Sequence, residues 1–143
     1  MNILENRIAA KFEALDEYLG YLKELQKINK ETYLKDYHAY GLAEHYLHLS
    51  IEVLLDVARL LIVNFTMPRA EDASQLMNSL FEGGVIPEKL YVQLNGITKF
   101  RNVLVHEYDK IDRVTVYHYL QRNLEQFSAF KKAVKSFLKK KKI

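Results

Sequence analysis

From Tyr37 to Phe65 the chain reads YHAYGLAEHYLHLSIEVLLDVARLLIVNF. Leu47, Leu54, Ala58, Leu61 and Phe65 recur at helical spacing on one face, and Ile51, Leu55 and Ile62 widen that face. A helix apolar over so much of its circumference belongs at the centre of a bundle. Pro68, which lacks a backbone N–H and clashes with the preceding turn, stops it.

The flanking segments supply its neighbours. Ile8, Phe12, Leu15, Leu19 and Leu22 step by four and three, which predicts a helix over residues 3–28. A polar break follows from Lys27 to Asp36. Residues 71–82 read as a short helix with Leu76, Leu80 and Phe81 turned inward, closed by Gly83-Gly84. Pro87 suits the first turn of the next helix, which carries Leu90, Leu94, Ile97, Phe100 and Leu104. Asp112 is a good N-cap for a last helix from Arg113 to about Lys140, with Val116, Leu120, Phe127, Phe130, Val134 and Phe137 inward.

Composition agrees with that pattern. The 143 residues are 49% hydrophobic and 27% charged, which is globular, and 5 Gly with 2 Pro are too few turn-formers for a barrel or sandwich. The expectation is an all-α, antiparallel bundle of about four or five helices in one domain, residues 1–143, with a Lys-rich C-terminal end at 131–143. The absence of Cys excludes a disulfide scaffold, a zinc finger and a thiol nucleophile. The run from Val53 to Phe65 is broken by Asp56 and Arg59, so no membrane span is expected. No secretory leader is legible at the N-terminus, and a cytoplasmic protein is expected.

Charge is unevenly spread. The net charge is +3, yet the last thirteen residues, KKAVKSFLKKKKI, hold seven Lys and no acid, leaving −4 on residues 1–130. Three readings fit: complementing a helix C-terminus and keeping the protein soluble, attracting the phosphates of a nucleic acid, or lying on a membrane surface. Val134, Phe137, Leu138 and Ile143 offer limited apolar area to insert, which counts against the membrane reading.

The segment KFRNVLVHEYD, residues 99–109, concentrates chemistry. Arg101 offers a permanent charge in a planar fork suited to phosphate oxygens. His106 exchanges a proton near neutral pH, and Asn102 is able to orient an imidazole or a phosphate oxygen. On one helix Asn102 and His106 share a face, whereas Arg101 and His106 stand about 140° apart. All three converge only where the helix ends or bends near Val105, or where a second subunit completes the site. The plainer alternative pairs Arg101 with Glu107 or another acid and leaves His106 as a satisfied polar residue. His45, His48, Glu52 and Asp56 form a second polar stripe, read as a solvent face, as a metal set, or as hydrogen-bonding support in which Glu52 or Asp56 holds Arg101 or His106.

Arg101, four intervening residues, His106, one more and Tyr108, with Asn102 behind the arginine, resembles the R-x4-H-x-Y signature of the HepT-like HEPN toxins. SIEVLLDVARLLI, residues 50–62, resembles that family's second helix, and residues 80–94 its connecting region. The resemblance implies an all-α, homodimeric, metal-independent ribonuclease toxin that needs no cofactor for cleavage. Its partner would be a minimal nucleotidyltransferase antitoxin that uses ATP to attach AMP to the motif tyrosine, here Tyr108. Arg101 and His106 would be the catalytic pair, supported by Asn102, and the substrate an RNA, either tRNA or mRNA. An alternative from another class is a non-catalytic helical module that binds a nucleotide or serves as a nucleotidyltransferase's partner subunit.

Overall fold

The computed structural model describes the backbone of residues 2–106 and 111–142, and the side chains of these except Val105 and His106. Within them the chain forms seven helices and no strand: α1 (Ile3–Gln26), α2 (Lys30–Lys35), α3 (Tyr37–Asn64), α4 (Ala73–Glu82), α5 (Glu88–His106), α6 (Arg113–Arg122) and α7 (Leu124–Lys141). Four are long, and three short ones join them. Helix starts follow side-chain oxygens that accept otherwise unpaired N–H groups. Asn2 caps Glu5, Asn29 caps Thr32, Asp36 caps His38, and Asp72 caps Gln75. Asp112 accepts from both Val114 and Thr115, so the expected cap at α6 is in place.

α3 packs against each of the other six helices. Its Leu47, Ile51, Leu54, Leu55, Ala58 and Leu61 are buried. The α1 stripe of Ile8, Phe12, Leu15, Leu19 and Leu22 is buried, and α1 lies against α3. α7 closes the core with Phe127, Phe130, Val134 and Phe137; Phe130 meets Phe12 edge-on at 6.3 Å, and Phe137 meets Phe65 at 5.1 Å. Each such ring withdraws 150–250 Å² from water, roughly.

Local departures from the sequence reading have physical causes. The polar break at 27–36 contains α2, started by Asn29 and anchored by Tyr33, whose ring is buried 5.0 Å from that of Tyr117. The last helix is two. At Asn123 the backbone leaves helical geometry (φ −115°, ψ 0°), its N–H bonding back to Tyr119 while its carbonyl accepts from Gln126. Asn is a poor helix-interior residue and a good terminus, which suits this joint. Pro87 stands just before α5, its carbonyl accepting from the Tyr91 N–H at 2.9 Å. Gly84 takes φ +79°, the left-handed conformation that ends α4 without a Cβ clash. Phe81 was expected inward and instead remains 36% exposed, stacked on Tyr91 with centroids 5.0 Å apart. The partner ring supplies apolar cover that the core does not. No helix among the described residues is long and apolar enough to cross a membrane.

Candidate ribonuclease site

The candidate site residues with described side chains, Arg101 and Asn102, lie on the C-terminal half of α5 where it crosses α3. Phe100 and Leu104 are buried, and Phe100 stacks flat on Tyr119 of α6 at 3.9 Å and 2°. These contacts fix the roll of α5 about its own axis. They leave Arg101 at the surface toward α3 and Asn102 exposed.

Arg101 Nε donates to Glu52 Oε1 at 2.6 Å, with about a quarter of each side chain open to water. The bond uses the Nε edge of the guanidinium. The terminal nitrogens make no other hydrogen bond among the described residues, which leaves them able to meet an anion. Glu52 thereby fixes the direction of the fork, since a planar guanidinium held at one edge has little freedom left. Of the two carboxylates named as support from sequence, Glu52 sits on Arg101. Asp56, one turn further along α3, lies 2.9 Å from Lys11 and 3.2 Å from Arg59.

α5 stays helical to His106, its last residue. Positions 101 and 106 therefore stand about 140° apart around one axis, as the spacing required. The His106 side chain and Tyr108 lie outside the described residues, as does Glu107, the acid nearest Arg101 in sequence. The polar stripe on α3 does not gather. His45 rests edge-on against Tyr46 at 5.0 Å, while Glu52 and Asp56 are engaged as above. Among the described residues no three His, Asp or Glu side chains converge on one metal position.

A second ion pair escaped the sequence reading. On α3, two turns before Glu52, Glu44 stands 3.7 Å from Arg113 Nε, and the guanidinium lies over the Tyr40 ring at 4.1 Å. Arg101 precedes residues 107–110 and Arg113 follows them, so α3 holds both ends of the motif segment by carboxylates. The available signal was weak: Glu44 and Glu52 are separated by eight residues, about 80° on the helix.

Burial raises the Glu44 pKa above the ordinary 4.5, and Arg113 opposes the rise only in part. The folded state thus favours protonated Glu44 more than the unfolded chain does. The stability this contributes is present below about pH 4.5 and is lost as pH rises through the raised folded-state value. Glu44→Gln removes that titration. The difference in Tm, variant minus wild type, is expected to grow as pH is raised from 4.5 toward neutrality. Thermal melts across that range test it, and a difference that is constant or shrinking would contradict the assignment.

Comparison with known proteins shows the family and the fold. The family profile described as Ribonuclease HepT-like matches residues 15–134. A "tRNA nuclease HepT" of Aphanizomenon flos-aquae is 24% identical over 131 residues, covering 92% of this chain and 89% of its own length. Among solved structures, a tri-AMPylated Shewanella oneidensis HEPN toxin in complex with MNT antitoxin superposes with TM-score 0.84 at 19% identity, covering 95% of this chain and 99% of that one. YutE of Bacillus subtilis, a cytosolic protein, superposes with TM-score 0.82 at 20% identity, covering 96% and 92%. These likenesses agree on the helical fold, and the profile takes in both α3 with Glu52 and α5 with Arg101. The chain belongs to the HepT-like ribonuclease family.

Proposed function

We propose that this chain is the toxin of a toxin–antitoxin pair, a ribonuclease that cuts RNA with Arg101 and His106. The observation that carries the reading is the Glu52-held guanidinium, set within the Arg101–His106–Tyr108 spacing. RNA brings its own nucleophile, the 2′-hydroxyl. His106 exchanges the proton, Arg101 stabilises charge as it builds on the phosphate oxygens, and Asn102 supports the bound group. The 2′-oxygen attacks phosphorus, the P–O5′ bond breaks, and the 5′-oxygen takes up a proton. One imidazole per chain is thin for both proton transfers. A two-fold dimer placing two motifs in one cleft would supply the second.

Control falls to Tyr108. A minimal nucleotidyltransferase antitoxin would transfer AMP from ATP to the phenol oxygen, releasing pyrophosphate. An AMP beside the cleft would block the strand and repel its backbone. The Shewanella toxin, AMPylated and bound to an MNT antitoxin, supports this reading by likeness.

The test incubates purified protein with total RNA, with and without the antitoxin and ATP, and follows cleavage by gel and adducts by intact mass. The expected result is cleavage by the unmodified protein and its loss once AMP is attached. Tyr108→Phe is expected to keep cleaving and to gain no AMP at that position. A modified protein that cuts at the unmodified rate would overturn the control mechanism.

A further inference from the structure

We propose that the outer face of α7 is an RNA-backbone track, separate from the Arg101 site and feeding it. The inference rests on the ribonuclease reading and deepens it. Between α7 and α1 runs a groove of about 440 Å³, lined by Lys131, Lys132, Lys135 and Lys139 with the hydroxyls of Ser128 and Ser136. Its one acid, Asp16, is already held by Lys131. Lys132, Lys135 and Lys139 are exposed and make no ion pair among the described residues. Lys132 and Ser136 also border a second groove of about 510 Å³ between α7 and α5, where Lys89 and Arg122 add charge and Glu125 subtracts it. The positive surface therefore wraps over α7 and reaches α5.

Three features select the occupant. Phe127, Phe130, Val134 and Phe137 of α7 are turned into the core and Leu138 is half-buried against it, so this face has little to insert into a lipid surface. Protein interfaces concentrate aromatic anchors and are poor in Lys, the reverse of what lies here. Lysines with interspersed hydroxyls are instead the usual contacts to phosphate oxygens, and such contacts position a nucleic acid without reading its sequence. The second groove is floored by Leu90, eleven residues before Arg101. That is about 16 Å along α5. A strand gripped at α7 and laid along α5 arrives at the guanidinium.

The experiment compares wild type with Lys132→Gln/Lys135→Gln/Lys139→Gln and with the matching triple Lys→Arg protein, each checked for an unchanged melt. The binding probe is a fluorescein-labelled 2′-O-methyl RNA oligonucleotide, which lacks the nucleophile and stays intact. The Gln variant is expected to bind about tenfold or more weakly, and its dependence of log affinity on log salt to flatten by about two, at roughly 0.7 per lost phosphate contact. The Arg variant is expected to bind as wild type does. Cleavage of bulk tRNA should slow in the Gln variant while cleavage of a dinucleotide, too short to reach α7, is unchanged.

Equal affinity and equal salt slope in the Gln variant would overturn the proposal, as would loss of binding in the Arg variant. Polyglutamate competing as well as polyuridylate would assign the face to an acidic polypeptide and also overturn it. Should wild type bind through these lysines yet cleave no RNA, the ribonuclease reading fails and the track stands. Should wild type cleave tRNA and the Gln variant match it in binding and rate, the track alone falls.

Discussion

Arg101→Ala is expected to slow RNA cleavage by about 10²–10³-fold, the usual loss when one preorganised donor to a developing oxyanion is removed. The same change should barely affect stability. The Arg101–Glu52 pair is partly open to water, and such pairs contribute about 1 kcal/mol or less. Glu52, left alone, stays partly hydrated instead of stranded in the core. The loss should appear in kcat, because the interaction strengthens as charge moves onto the phosphate oxygens. Arg101→Lys keeps the charge and loses the fork, so an intermediate rate is expected. Glu52→Gln keeps an acceptor for Nε and should cost less than Arg101→Ala. Single-turnover cleavage of a labelled RNA, run beside a thermal melt, separates the two effects. An Arg101→Ala protein that cuts at the wild-type rate would remove Arg101 from the chemistry.

The largest stability loss is expected at Phe130. Its side chain has no exposed surface and meets Phe12 edge-on, tying α7 to α1. Truncation to Ala forfeits transfer energy and leaves a cavity, together about 3–5 kcal/mol. Set against a total of roughly 5–15 kcal/mol for a domain, that brings the protein close to unfolding at growth temperature. At about 4 °C per kcal/mol the Tm should fall by some 12–20 °C. Phe81→Ala is the control: its ring is stacked on Tyr91 at the surface and should cost far less. Equal losses from the two would mean that burial against Phe12 is not what makes Phe130 costly to remove.

The long-helix organisation was legible because it rests on periodicity. All five apolar positions of the first stripe, and all six of the Val116–Phe137 series, are buried as their spacing required. Pauses within polar stretches were not legible. α2 hides in a run whose composition reads as a loop, and Asn123 interrupts an apolar repeat that continues in phase on both sides. Arg101, Asn102 and His106 stood out because their residue types crowd one segment. Which acid meets Arg101 depends on how helices 49 residues apart in sequence cross, and no local pattern encodes that. Lys11, reaching over from α1, occupies Asp56 for the same reason. Glu44 and Arg113 are 69 positions apart and went unpaired in the sequence reading.

α3 works as a keyed shaft, with Glu44 and Glu52 as its two teeth. Eight residues set them about 12 Å apart along the axis. One inserted residue between them would turn one tooth by about 100° and release whichever arginine it engaged. A seven-residue insertion would nearly restore the angle but stretch the interval by about 10 Å. Surface connections tolerate added length at little energetic cost. This interval of the central helix does not, so its residue count, more than the identity of the residues between the teeth, is what keeps Arg101 and Arg113 both engaged.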